Sequence, residues 1–242
     1  AVTHAFGGLM PLAFPSVVSE FGLSYTDIGL LVGVTTFAGG MMQLIYSELS
    51  RRFLRKTILA AGQFVIGLSC VLTALAGSFG VFFLGNLGAR LGSSPQHPVG
   101  NSLLAERFPI ERRGSALSLH VVGGNIGTLA VPVLGVLLLS TIGWRATVLA
   151  LAVPAFVLTG ALAFFIQEQR EDSAQSRRVA TPTSTLLRQI LSSRTIVLIV
   201  LASVIGAAGR GLGALNTYLP LYLTRDLGIA VNTVNVLYAC LL

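Results

Sequence analysis

The chain has 242 residues, of which 53% are hydrophobic and only 10% charged, with a formal net charge of +7 and a mean hydropathy of +0.81. Soluble domains carry about a quarter charged residues, so these values exclude a water-soluble globular protein and point to an all-α polytopic membrane protein. The positive charge is clumped between long uncharged stretches, which argues for the lipid bilayer as partner and against nucleic acid.

A membrane span needs roughly 20 mostly apolar residues. Such segments occur at 1–21, 27–48, 57–77, 79–106, 113–139, 144–166, 195–223 and from 231 onward, giving seven spans and the start of an eighth. The chain begins and ends inside apolar runs, so we expect a helical bundle truncated at one or both ends. In span one, His4, Gly8, Pro11 and Pro15 share a face. Cys70 in span three and Cys240 in span eight read as small packing residues, not as a disulfide pair or metal ligands.

Span four is the most polar. At 100° per residue, Asn86, Arg90, Ser94, His97 and Asn101 fall within about 80° of one another. A charge at mid-bilayer costs at least about 2.5 kcal/mol, so this stripe is expected to face a polar cavity that takes a small-molecule substrate. Pro95 and Pro98 lack N–H groups and loosen the backbone there. His97 is the best-placed titratable group for proton exchange, since no Asp or Glu lies deep in a span.

In span five, His120 aligns with Gly124, Gly127 and Gly135, and small residues there suit close helix packing. His4 and His120 read as satisfied histidines near the cytoplasmic ends of their spans. Between spans six and seven, residues 167–194 (QEQREDSAQSRRVATPTSTLLRQILSSR) form a polar linker. The expected organisation is a six-helix bundle at 1–166, a cytoplasmic linker at 167–194, and the start of a second bundle at 195–242. In span seven, Gly206, Arg210, Gly213 and Thr217 share a face, which makes Arg210 a second buried cation.

Orientation follows from the basic residues. Arg51, Arg52, Arg55, Lys56, Arg107, Arg112, Arg113, Arg170, Arg177, Arg178, Arg188 and Arg194 fall on one side, and Arg145 and Arg225 on the other. This split places the loops at 49–56, 107–113 and 167–194 in the cytoplasm of a protein integral to the inner or plasma membrane. A weak repeat relates FPSVVSEFGLSYTDIGLL to LPLYLTRDLGIAVNTVNVL, with Pro15 matching Pro220 and Gly22 matching Gly228. Six spans separate the copies, so the repeat is parallel. No Walker A or HExxH sequence occurs; GRGLGA at 209–214 lies in an apolar helix rather than after a strand. We expect no enzyme activity, no cofactor and no metal.

These features resemble the major facilitator superfamily. SELSRRFLRKT, between spans two and three, resembles that family's G-x-L-(A/S)-D-R-x-G-R-(R/K) signature. Leu49, Ser50, Arg52, Arg55 and Lys56 match; Ser47, Arg51 and Leu54 depart. The resemblance implies a cytoplasmic gate here, and Glu48 stands one turn from Arg51 and Arg52, where it can replace the missing Asp. Arg90 falls where the family often has a buried arginine. GGNIGTLAVPVLGV resembles the antiporter motif of helix five through Gly127, Pro132 and Gly135, while Val131 and Val136 do not match. Within the family, Gly92, Ser93, His97, Pro98 and Gly100, together with RRGSAL at 112–117 and GGNIG at 123–127, resemble the fosmidomycin-resistance-like group. The resemblance implies a monomeric secondary transporter working by alternating access, with proton-coupled efflux of a small organic solute. Organic-anion uptake is the alternative, and a non-transporting membrane sensor is a rival from another class.

Overall fold

The computed structural model describes residues 2–168, 191–209 and 214–239. Among them the regular structure is helical: α1 Val2–Phe21, α2 Tyr25–Leu49, α3 Arg55–Ala74, α4 Phe79–Ser93, α5 Pro98–Arg107, α6 Ile110–Ala130, a π-helical turn Val131–Gly135, α7 Val136–Ala150, α8 Ala152–Phe165, α9 Arg194–Gly209, α10 Ala214–Arg225 and α11 Val231–Ala239. The residues through Glu168 and those from Pro220 onward form one compact unit, and Gln169–Leu219 belong to another.

Two of the expected spans, four and five, are interrupted. Span four is α4 followed by α5, with a turn at 94–97 between them. Pro98 opens α5 at its first turn, where a missing N–H costs nothing. Span five runs through α6, the π-helical turn containing Pro132, and the first arm of α7. Gly143 then takes φ 76°, a left-handed conformation that glycine adopts freely, and the second arm of α7 begins span six. Among the described residues, the helices long and apolar enough to cross a membrane are Val2–Phe21, Tyr25–Leu49, Arg55–Ala74 and the bent Val136–Phe165. The turn at 94–97 divides span four, and the π-helical turn interrupts span five.

The bundle closes on small residues. α3 packs against α4 and α8, α2 against α4 and α5, and α1 against α6. A Cβ added to Gly62 would lie 2.5 Å from the Gly92 carbonyl oxygen, and one added to Gly85 would lie 2.2 Å from Thr73 Oγ1. Helix axes this close gain dispersion energy where lipid offers no hydrophobic drive. At the basic end, Ile58, Leu59 and Val99 form a buried cluster, with Tyr46, Leu49, Leu103 and Leu162 packed on it. At the opposite end, Phe21, Phe82 and Trp144 stack edge-on, with Phe82 and Trp144 centroids 5.7 Å apart. Large apolar side chains such as Phe37, Leu44, Phe164 and Phe165 stay exposed, as suits a bundle solvated by lipid.

The sequence repeat has a backbone counterpart. Gly22 and Gly228 end α1 and the α10 exit with φ 64° and φ 65°. Pro15 and Pro220 both lie inside the helices preceding them. Ser24 then caps α2 through a capping box with Asp27.

Candidate functional site

The polar residues of span four divide into two groups. Asn86 is buried, and its amide donates to the Phe82 carbonyl at 2.9 Å. Ser94 is buried too; its hydroxyl reaches the Gly39 carbonyl on α2 at 2.9 Å and the Arg90 carbonyl at 2.8 Å. Both side chains meet backbone rather than an open face, and Ser94 ties α4 to α2. This differs from the expected continuous stripe. The wheel gave the shared face, but α2 packs over the part of it that carries Ser94, and Asn86 turns back to a carbonyl of its own helix.

Arg90, His97 and Asn101 are exposed. The Arg90 guanidinium makes no hydrogen bond or ion pair among the described residues. His97 precedes the last residue of α5, Arg107, by ten positions, about 15 Å at 1.5 Å per residue, or half the hydrocarbon thickness. Arg90 lies two turns deeper into the same crossing. A guanidinium at such a depth keeps its charge and needs water or an anion beside it. Arg210, the expected counterpart in span seven, lies outside the described residues, as does Cys240.

Two further histidines surround His97. The ring centroids of His4 and His97 are 6.2 Å apart, and those of His97 and His120 are 6.4 Å apart, both pairs edge-on. α6 begins at Ile110, so His120 also lies about 15 Å along its helix. It shares the depth of His97 instead of sitting at the cytoplasmic end as expected. Gly124 admits the His4 ring: a Cβ there would come within 3.0 Å of His4 Cε1, whereas one at Gly100 would make only ordinary contact with His120 Cε1 at 3.7 Å. The signal for this convergence was present in the one-turn spacing of His120 and Gly124, but the neighbouring helix was not readable.

The other span-five residues hold helices together. Gly127 is buried, a Cβ at Gly135 would lie 3.1 Å from Leu9 Cδ1, and Pro132 lies within the π-helical turn. The heavier glycine contact, Gly62 and Gly85–Gly92 between α3 and α4, was not singled out from sequence. Its signature is small residues spaced seven apart in Gly85 and Gly92, with Gly88 between them.

At the basic end, Arg51 pairs with Glu48 at 3.2 Å across one turn. Arg52 stands beside them on the exposed loop. Arg55 reaches farther, pairing with Glu106 at the end of α5 and with Glu168 at 3.7 Å. Glu168 also accepts the first backbone N–H groups of α3, from Arg55 at 3.2 Å and Lys56 at 2.8 Å. A carboxylate satisfies the orphan donors of a helix N-terminus and complements its dipole. Lys56 Nζ donates to the Ile166 carbonyl at 3.0 Å, and Arg107 to the Gln167 carbonyl at 3.0 Å. Sequence reasoning missed Glu168 because it lies 113 residues from Arg55.

At the opposite end, Arg145 pairs with Glu20, donates to the Ala74 carbonyl at 2.8 Å, and lies 4.4 Å from the Trp144 ring centroid. Tyr25 donates to the Asp226 carboxylate, while Arg225 donates to the Leu23 carbonyl at 3.2 Å and stacks on the Tyr25 ring at 5.4 Å. These contacts join the two repeat-related turns.

A family model described as Major Facilitator Superfamily matches residues 1–242. The chain is 27% identical over 223 residues to the fosmidomycin resistance protein of Escherichia coli (strain K12), covering 90% of this chain and 53% of that one. It is 28% identical over 151 residues to a probable L-galactonate transporter of the same organism, covering 62% of this chain and 32% of that one. The crystal structure of a bacterial homologue of the human lysosomal transporter Spinster, inward-facing and occupied, superposes with a TM-score of 0.80 at 19% identity, covering 99% of this chain and 55% of that one. The chain thus spans about half the length of the first of these relatives and of the solved structure.

Proposed function

Because this chain belongs to the major facilitator superfamily and is a multi-pass integral membrane protein, we propose that it forms the first half and the start of the second half of a secondary carrier working by alternating access. In this reading residues 1–166 are the first bundle, 167–194 a cytoplasmic linker and 195–242 the start of the second bundle. Arg90 meets an anionic group of a small organic solute, His97 exchanges the coupling proton, and Asn101 adds a hydrogen bond from the same open face. Glu48, Arg51, Arg52 and Arg55 form the cytoplasmic gate. The carrier is a monomer and exports its solute against proton entry.

One observation carries this reading: Arg90 and His97 stand exposed on one crossing near mid-membrane depth, the guanidinium without a protein partner among the described residues. A desolvated, unpaired cation would be among the costliest groups a bundle can hold. An exposed one is tolerable where water and solute pass. The contacts of Tyr25 with Asp226 and of Arg225 with Leu23 support a state closed on the non-cytoplasmic side.

Organic-anion uptake is the second reading. It is favoured by Arg90 being the deep charge of span four, with the nearest acidic residues of that crossing at its inner end, in Glu106. The test is solute flux into proteoliposomes holding the intact carrier, with the pH gradient imposed in each direction. Arg90→Ala that inserts normally and keeps full flux removes the solute role. An unchanged pH profile in His97→Gln removes the coupling role. Flux down an inward proton gradient favours uptake, and flux against it favours export. Solute binding without flux in either direction favours the sensor.

A further inference from the structure

We propose that His4, His97 and His120, drawn from spans one, four and five, act as one proton-holding unit, in which a proton on one imidazole disfavours a proton on the other two. This deepens the coupling role given to His97 above and rests on that reading for its use in transport.

The argument starts from chemistry. A neutral imidazole offers one donor and one acceptor nitrogen, and a protonated one offers two donors. A proton on His97 therefore stands between two further imidazoles that feel its charge, with ring centroids too far apart for a direct N–H···N bond. His97 is the central ring, with His4 6.2 Å away and His120 6.4 Å away, both edge-on. The buried Nδ1 of His4 has no hydrogen-bond partner, so the cluster holds one unfilled polar valence. Buried nitrogens are seldom left so.

Other charges are remote along their helices. The acidic groups of the elements around the cluster are Glu20 on α1, Glu106 on α5 and Glu111 on α6. Each stands at least nine residues along its helix from the histidine it shares that helix with, about 13 Å or more. The basic groups are Arg90 on α4, two turns from His97, and Arg107, Arg112 and Arg113 at the inner helix ends. α2, packed against α4 and α5, brings Asp27, Tyr46 and Glu48; α3, packed against α5, brings Arg55, Lys56 and Cys70; α7, packed against α1, brings Arg145; and Tyr238 lies on α11, which packs against α1 and the π-helical turn. No carboxylate forms an ion pair with the three rings among the described residues. The imidazoles have one another as nearest proton acceptors.

Their spacing limits occupancy. Two unit charges about 6 Å apart, at an effective dielectric near 20, disfavour the second protonation by about a hundredfold. Groups coupled this strongly titrate as a set, in macroscopic steps. The unit therefore favours holding one proton at a time. Gly124 serves it by leaving room for the His4 ring.

The experiment is a histidine side-chain NMR titration of the intact carrier in nanodiscs, with labelled histidine and assignment by single replacement. His4→Gln and His120→Gln are made separately, so that a folding defect in one leaves the other readable. We expect the midpoint of His97 to move by one to two pH units when either neighbour is replaced. The unreplaced rings should also titrate in more than one step in the parent protein. A His97 midpoint that stays in place in both variants, with single-step curves, overturns the proposal. Transport is read in parallel. Coupled titration with pH-insensitive flux keeps the unit and removes its use in coupling. Independent titration with pH-dependent flux removes the unit and keeps His97 alone.

Discussion

Arg90 and Ser94 lie one turn apart and have opposite fates, which shows how local the decision is. The Ser94 hydroxyl has a short reach and finds the Gly39 carbonyl on α2, so it is buried. The guanidinium is long and strongly polar, and stays on the exposed face. We expect Arg90→Ala to lower flux at least tenfold while Ser94→Ala leaves flux within about twofold and lowers stability by about 1 kcal/mol, the usual net worth of a hydrogen bond. Flux assays with thermal melts in detergent separate the two effects. Glycine contacts give a second contrast at this scale. Gly62→Ala drives a Cβ into the Gly92 carbonyl at 2.5 Å, which is backbone and cannot step aside. Gly67→Ala meets the Phe156 ring at 2.6 Å, a side chain that can turn. Overpacking costs about 1–3 kcal/mol, so Gly62→Ala should melt well below Gly67→Ala. Equal melting points would remove the assigned difference. The polar identity of Asn86, Arg90, Ser94, His97 and Asn101 was legible from sequence, because desolvation cost depends on residue type and depth. Which of them meet backbone was not legible, because that depends on the neighbour α2 and on the rotamer each side chain takes.

At the scale of elements, α3 has no side-chain cap of its own: Leu54 occupies that position. Glu168, at the exit of span six, supplies the carboxylate instead and holds the start of the linker against α3. Glu168→Ala should cost about 1–2 kcal/mol, the range of a lost N-cap with its dipole term. It should also raise protease cleavage near residue 168. Unchanged melting and cleavage would show that Arg55 and Glu106 suffice at that end. Sequence reasoning placed the basic loop and its Glu48–Arg51 pair, since i,i+3 contacts follow from helix geometry alone. It did not find Glu168, because contacts across 113 residues follow from how helices are arranged. The expected crossings also survived in altered form. Apolar length was readable, and the Gly143 bend falls between the expected spans five and six, while the π-helical turn at 131–135 interrupts span five.

Across the whole molecule, the two repeat-related turns meet. By alignment on Gly22 and Gly228, Glu20 and Asp226 occupy equivalent positions two residues earlier. Each uses its carboxylate differently: Glu20 receives Trp144 at 3.0 Å and pairs with Arg145, while Asp226 receives Tyr25. A carrier must break the second set to open on that side. We expect Tyr25→Phe with Asp226→Asn to raise the share of outward-open molecules, read as longer distances between spin labels at Thr26→Cys and Asn232→Cys. An unchanged distance distribution removes the latch. The sequence alone determined that the chain is a helical membrane bundle, which end is basic, and that a parallel repeat relates Gly22 to Gly228. These follow from transfer free energy, charge placement and the glycine requirement of left-handed turns, all properties of short segments. Only tertiary structure decided that three histidines from three spans meet, that Ser94 and Asn86 turn to backbone, and that Glu168 caps a helix far away in sequence. Those outcomes depend on which helix faces which, and in a bilayer that choice is made by close packing of small residues between helices.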